Sequence, residues 1–180
     1  MPRYAALLRA VNLGGPTQVS MTALRECLTR AGFADVRTLL QSGNLVFRRD
    51  EKNAAEVEQR TEETVARAFG RRTEVLVRTP AEWRDVIGGN PFREAAETDP
   101  SHLTVLVLKG APPAEAWKTL VRGIVGPERV QAAGRHGYVH YPAGIGGSRL
   151  TLDRIERSLG TRGTLRNWNT VLKIDALLAE

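Results

Sequence analysis

The hydrophobic pattern of the chain repeats one order of elements: strand, helix, strand, strand, helix, strand. The first copy runs from Arg3 to about Arg78, and the second runs from about Leu103 to Leu165. Short apolar runs are typical of buried strands, and apolar residues three and four apart are typical of helices. This order is that of the split βαβ, or ferredoxin-like, unit. The sequence therefore predicts an α+β fold that is a tandem repeat of two ferredoxin-like (βαββαβ) α/β plaits.

Turn and capping residues place the elements. A glycine-bearing hairpin turn lies at the matching place of each copy, at 41–44 and at 133–137. We expect two domains, a first ferredoxin-like unit at 1–79 and a second at 80–180 that includes a connector helix and a C-terminal helix. The predicted helix starts are Ser20, Asn53, the Thr79–Glu82 capping box, Pro112-Pro113, Ser148 and Asn167. The C-terminal helix is expected to pack through Trp168, Val171, Leu172 and Leu178.

Composition limits the class of protein. The 180 residues are 42% hydrophobic and 26% charged, which is ordinary for a globular chain. No apolar run approaches the ~20 residues of a membrane span, and the segment from Met1 to Tyr4 lacks the features of a signal peptide. Cys27 is the single cysteine, and its spacing with Leu24 and Leu28 predicts a small buried thiol. A reducing, cytoplasmic location without membrane association fits these features.

The charge balance leaves nucleic acid as a disfavoured partner. The net charge is +6, but the basic residues are spread along the chain rather than gathered into a run. RNA-recognition motifs, which share this topology, stack bases on aromatic side chains of the sheet. Here the hairpin strands offer only Phe47 in the first copy, Tyr138 and His140 on one face of the second, and Tyr141 on the other. We therefore expect only weak, salt-sensitive binding of nucleic acid.

The residues that carry most enzyme chemistry are sparse. His136 and His140 are four apart, and on a strand that spacing separates them by about 13 Å. No carboxylate cluster accompanies them, and Asp99 is expected to be a solvated turn residue. One cysteine and three histidines predict no metal site, and no cofactor motif is present. The glycine-rich stretch 141–149 matches neither a P-loop nor a dinucleotide fingerprint. Whether the protein is an enzyme stays open.

Polar residues at loops, turns and a helix start form the candidate ligand site. Arg9 ends the first strand, and Asn167 is a good N-cap for the last helix. Two cations beside a helix N-terminus favour a phosphate or a carboxylate. We predict that these side chains converge around a groove between the units and bind a small anion. The predicted contacts are Arg9, Asn12, Ser42, Asn44, Arg166, Asn167 and Lys173.

Five short segments carry a resemblance to a known family. They are Leu7–Gly15, Gln41-Ser42-Gly43-Asn44, Asn90-Pro91-Phe92, Tyr141-Pro142 with Gly144 and Ser148, and Arg166–Val171 with Lys173. Together they resemble the bacterial domain-of-unknown-function family DUF1697 over essentially the full length. The resemblance implies tandem α/β plaits and no established reaction.

Three functions stay open at this point. The first is a binding protein or enzyme for a small anionic ligand. The second is a weak RNA-binding module, and the third is a non-catalytic interaction or dimer scaffold. The sequence does not choose among them, because the ferredoxin-like unit hosts many unrelated functions. It also leaves the oligomeric state and the identity of the ligand undetermined.

Overall fold

The structure, a computed structural model, describes residues 1–9, 19–51 and 53–180. By residue contacts the chain groups into two compact units, one formed by 1–84 with 173–180 and the other by 85–172. Two helices, α3 (Pro80–Gly88) and α7 (Trp168–Ala179), contribute residues to both groups. The domain limits of 1–79 and 80–180 stay a prediction.

The first unit is a four-stranded antiparallel sheet with two helices on one face. Its strands are β1 (Arg3–Leu8), β2 (Ala34–Leu39), β3 (Asn44–Arg48) and β4 (Val75–Arg78), in the order β2-β3-β1-β4. Its helices are α1 (Met21–Arg30) and α2 (Ala54–Phe69). The chain order βαββαβ is therefore that of one ferredoxin-like plait.

The second unit repeats this arrangement. Its strands are β5 (Leu103–Leu108), β6 (Arg129–Ala133), β7 (His136–His140) and β8 (Gly163–Asn167), in the order β6-β7-β5-β8. The helices α5 (Ala114–Arg122) and α6 (Leu152–Leu159) take the places of α1 and α2. The predicted α+β fold of two tandem plaits followed by a C-terminal helix is confirmed.

Each sheet has an apolar face that packs on its own helices. In the first unit, Tyr4, Leu8 and Phe47 join Leu24, Leu28 and Val57 in the helix-side core. In the second, Leu106, Leu108 and Tyr141 join Trp117, Leu120 and Ile155. Because side chains alternate along a strand, the intervening residues line the opposite face, which we call the second face. The second face holds the polar residues that matter below.

Several predicted helix ends are confirmed by their hydrogen bonds. Ser20 accepts the N–H of Ala23 at 2.9 Å and caps α1. The capping box closes both ways, because the Glu82 carboxylate accepts the Thr79 N–H at 2.8 Å and the Thr79 hydroxyl accepts the Glu82 N–H at 3.2 Å. These ends were predictable because capping is a local interaction.

Other local predictions were wrong. Thr151, not Ser148, caps α6, and Ser148 instead hydrogen-bonds Glu128 and the N–H of Leu150. A short helix, α4 (Arg93–Thr98), follows Phe92 and was not predicted. In α7, Leu172 is exposed, and Ile174 is buried in its place. A hydrophobic side chain on a helix is buried only where a neighbour covers it, which the spacing alone does not reveal.

Among the described helices, none is both long and apolar enough to cross a membrane.

Candidate functional site

One end of the first sheet gathers three of the predicted contacts. The Leu8 N–H donates to the Gly43 carbonyl at 2.8 Å, so the turn between β2 and β3 lies beside the end of β1. The next residue, Arg9, donates its N–H to the carbonyl of Glu74, just before β4 begins, also at 2.8 Å. Arg9, Ser42 and Asn44 are therefore brought to the same end of the sheet by ladder geometry.

The turn is held by a buried amide. Asn44 has no exposed surface, and its side-chain N–H groups donate to the Leu39 carbonyl at 2.8 Å and to the Ser42 hydroxyl oxygen at 2.9 Å. Gly43 has φ of +75°, a left-handed conformation that glycine adopts without strain. The Ser42 side chain is exposed. Asn44 therefore positions the turn, and Ser42 presents a hydroxyl at its surface.

Arg9 is the cation of this cluster. Its Nη1 lies 3.8 Å from the Glu74 carboxylate, which is within ion-pair range but too long for a hydrogen bond. Its backbone carbonyl accepts the Thr73 hydroxyl at 2.7 Å, which fixes the strand end. The Arg9 side chain remains about one-fifth exposed. A guanidinium held here supplies paired donors suited to phosphate or carboxylate oxygens.

Arg166 lies in the second unit and is almost fully buried. It is 7% exposed, and its Nη1 donates to the Thr164 hydroxyl at 2.6 Å and the Leu165 carbonyl at 2.8 Å. Burial lowers the pKa of Arg166 to about 10, so the side chain is still charged at neutral pH. It pairs across the sheet with Val105 on the second face.

The last helix begins directly after this strand. The Asn167 side-chain oxygen accepts the N–H of Thr170 at 2.9 Å and its hydroxyl at 3.0 Å, so Asn167 caps α7 as predicted. Lys173 is exposed further along the same helix. Asn12 falls in 10–18, outside the described residues. The meeting of Arg166, Asn167 and Lys173 with the Arg9 cluster stays a prediction.

Arg78 is a buried cation that sequence reasoning missed. It is 2% exposed at the end of β4, and its Nη1 donates to the Val77 carbonyl at 2.8 Å. It pairs with Ala5 on the second face of the first sheet. The signal was available, because Arg78 is the only charged residue of an otherwise apolar strand and occupies the place of Arg166 in the repeat.

Asp99 lies at the end of α4 and its side chain is about one-third exposed, but it also contacts two histidines. Its carboxylate oxygens contact His140 Nε2 at 2.9 Å and His102 Nδ1 at 2.8 Å. The hydrogen bond with His140 is the main cause that lowers the pKa of Asp99 below its usual value. The other ring nitrogen of His140, Nδ1, is buried and has no hydrogen-bond partner among the described residues. The residues meet because α4 and the turn after it return Asp99 to the sheet.

The described part of the chain offers no group of three or more histidine, cysteine or acidic side chains arranged to hold a metal. Within the described strands, Tyr4, Phe47 and Tyr138 are buried, and His136 and His140 are partly exposed. Tyr138 donates its hydroxyl to the Val86 carbonyl at 2.7 Å. The tyrosine and phenylalanine rings of these strands are therefore not exposed as the stacking aromatics of an RNA-recognition motif are. Whether the protein binds nucleic acid stays a prediction.

The order of elements and the two four-stranded sheets place the protein in the class of tandem ferredoxin-like α/β plaits. The family model for DUF1697, described as a protein of unknown function, matches residues 1–138. The chain belongs to this family, so the predicted family is confirmed. The motif segments at 141–148 and 166–173 lie outside the matched residues.

A solved structure shares the fold over nearly the whole chain. It is titled the structure of conserved bacterial protein SP0830 from Streptococcus pneumoniae, and it superposes with a TM-score of 0.77 at 20% identity, covering 98% of each chain. At this identity the similarity establishes the fold alone. No curated protein matches the chain.

Proposed function

We propose that the protein binds a small anionic ligand that carries a phosphate or carboxylate group. The observation that carries the proposal is the convergence of Arg9 with the 41–44 turn at one end of the first sheet. Arg9 and Ser42 contact the ligand, and Asn44 holds the turn in place. Asn12 follows Arg9 closely in the chain and is a further candidate contact.

Chemistry favours an anion at this position. A guanidinium forms charge-assisted hydrogen bonds, often two in parallel, with carboxylate and phosphate oxygens. The Ser42 hydroxyl accepts one N–H from Asn44, and a serine hydroxyl is also a donor that suits an anionic oxygen. Loops at strand ends are where binding residues of rigid scaffolds commonly lie. Both side chains reach solvent, which gives a ligand access.

Arg166, Asn167 and Lys173 are proposed as additional contacts. Arg166 keeps its charge while buried, and Asn167 stands at the N-terminus of a 12-residue helix, where backbone N–H groups favour anions. Whether they serve the same ligand as Arg9 is tested by substituting the two sets separately. Arg166→Met preserves volume and removes the charge.

The experiment is a thermal-shift titration with inorganic phosphate, pyrophosphate and citrate, against sodium chloride at matched ionic strength. A ligand that binds only the folded state raises Tm with its concentration. We expect Arg9→Gln to weaken binding about tenfold or more, since a hydrogen bond to a charged group contributes ~1.5–3 kcal/mol. The matched control is Arg122→Gln, which removes an exposed arginine from α5.

Two results would contradict the proposal. One is the absence of any anion-specific rise in Tm for the unaltered protein. The other is an equal response of Arg9→Gln, Arg122→Gln and the unaltered chain, which would indicate general charge screening.

We also propose a reducing, cytoplasmic setting for the protein. Cys27 is buried, its Sγ contacts the Leu24 carbonyl at 3.2 Å, and burial raises the pKa of its thiol. A thiol of this kind is inert rather than redox-active. Resistance of the native protein to thiol-labelling reagents, with full labelling after denaturation, is the expected outcome.

A further inference from the structure

The two sheets end in four edge strands, β2, β4, β6 and β8. An edge strand presents backbone N–H and C=O groups that can pair with another chain, and proteins usually block such edges. Three of these four edges carry a visible block. The fourth, β6, carries no such block from the residues that the structure describes.

Glutamates close the β4 and β8 edges. Glu62 and Glu58 of α2 accept the N–H groups of Val75 and Val77, at 2.8 Å and 3.2 Å. In the second unit, Glu156 of α6 accepts the Gly163 N–H at 2.8 Å. In β4 the carboxylates occupy two positions that an incoming strand would need, and in β8 Glu156 occupies the first such position.

Irregular backbone and charge protect β2. Its register with β3 shifts between Ala34 and Arg37, and Asp35 there has φ of +49°. Arg37 is also paired with Asp35 and with Glu180. A bulge with charged side chains is a recognised way to prevent pairing between edges.

β6 is regular and accessible. Its five residues pair with β7 at every position from Arg129↔His140 to Ala133↔His136, with no bulge. All five are at least partly exposed, and Arg129 is the only charged one. The strand therefore offers a regular edge with a single charged residue.

Exposed aliphatic residues lie next to this edge. Val125, in the connection from α5 to β6, is 75% exposed, and Val121 near the end of α5 is 46% exposed. α5 packs beside β6. Aliphatic side chains beside an open edge are typical of an interaction surface rather than of a free surface.

We propose that the chain forms a homodimer by antiparallel pairing of β6 with β6 of a second copy, which joins two four-stranded sheets into one of eight strands. A two-fold axis through Gln131 places this residue opposite the partner's Gln131. Arg129 then lies opposite the partner's Ala133, so no like charges face each other. Each copy uses the same surface, as a two-fold interface requires.

Self-complementarity is what favours a second copy over a foreign peptide. The centre of the strand is an uncharged amide, and its one charge meets a small residue. A five-residue edge buries less surface than the ~1,200–2,000 Å² of a standard stable interface, so we expect a reversible, concentration-dependent dimer.

The test is sedimentation velocity of the full chain over a concentration series. Gln131 is exposed, so Gln131→Lys and Gln131→Glu leave the monomer folded. Each variant alone places like charges across the two-fold axis, and we expect the dimer dissociation constant to rise roughly two- to five-fold. Mixing the two variants pairs opposite charges and restores the dimer. The matched control, Gln59→Lys, makes the same change on the exposed face of α2 and has no effect.

The proposal is overturned if the unaltered chain sediments as a monomer at every concentration. It is also overturned if the Gln131→Lys protein dimerises as well as the Gln59→Lys protein, or if the mixture of the two Gln131 variants fails to recover the dimer. Circular dichroism of each variant verifies that the fold is intact.

Discussion

Arg78 and Arg166 occupy equivalent positions in the two halves of the repeat. Ala5 of β1 pairs with both Val46 and Arg78, and Val105 of β5 pairs with both Tyr138 and Arg166. Each arginine ends up buried on the second face of its sheet, and each donates Nη1 to the carbonyl of the preceding residue at 2.8 Å. The internal repeat therefore extends to a buried charged residue.

This equivalence predicts parallel responses to substitution. Arg78→Ala and Arg166→Ala should each lower the free energy of unfolding by about 2 kcal/mol or more, because the aliphatic stem of the arginine loses its packing. Arg78→Met and Arg166→Met should cost less, since replacing a buried charge by an apolar side chain of similar volume is often neutral. Urea unfolding of the four variants measures this. Opposite rankings in the two units would contradict the equivalence.

The three tyrosines predict the alkaline behaviour of the protein. Burial, with Asp85 nearby, raises the pKa of Tyr138 to about 12, and burial also raises the pKa of Tyr4 and Tyr141. The folded state holds these protons more tightly than the unfolded state does. Their contribution to stability is therefore complete below pH 10 and is lost as the pH rises from 10 toward 12.

A spectrophotometric titration of tyrosinate tests this. The native protein should show little ionisation at pH 10, and tyrosinate should appear together with loss of the circular dichroism signal. In denaturant all three tyrosines should titrate near 10. Ionisation of any tyrosine near pH 10 while the fold is intact would argue against its burial.

Glu156 is predicted to stabilise the second unit from within. Its carboxylate is 6% exposed and accepts the Gly163 N–H. Glu156→Ala leaves this N–H without its partner and should cost about 1–3 kcal/mol. The control Glu115→Ala removes an exposed carboxylate that pairs with Lys118, and it should change stability by less than about 1 kcal/mol. Equal losses of unfolding free energy in the two variants would contradict the prediction, because they would show that the hydrogen bond from Gly163 to Glu156 adds no stability.

We expect Asp99 to contribute to the free energy of unfolding in a way that depends on acidic pH. Its hydrogen bond with His140 lowers its pKa in the folded state, so its stabilising effect is present above the ordinary value of 3.8 and is lost as the pH falls through the lower, folded-state pKa. The amide introduced by Asp99→Asn cannot titrate. The difference in unfolding free energy between the unaltered chain and this variant should therefore shrink in acid. A difference that is constant with pH would indicate that Asp99 does not interact with His140 as a carboxylate.

Local patterns along the chain were enough to establish the order of elements and most of their ends. Hydrophobic period, the glycines of the hairpins and the Thr79–Glu82 capping box act within a few residues, so they can be interpreted without a fold. The same holds for Asn167, whose capping role needs only the residue three positions on. Arg9 and the 41–44 turn could also be predicted as candidate contacts, because each places polar residues next to apolar strand segments.

Everything that depends on pairing across the sheets required the folded chain. Register alone places Arg9 beside the 41–44 turn and makes Arg78 the counterpart of Arg166. The return of the chain after α4 sets Asp99 against His140, 41 residues away, and no periodicity encodes that contact. Strand order likewise makes β6 an edge of its sheet. Contacts between distant residues arise from packing of whole elements, and local sequence carries little of that information.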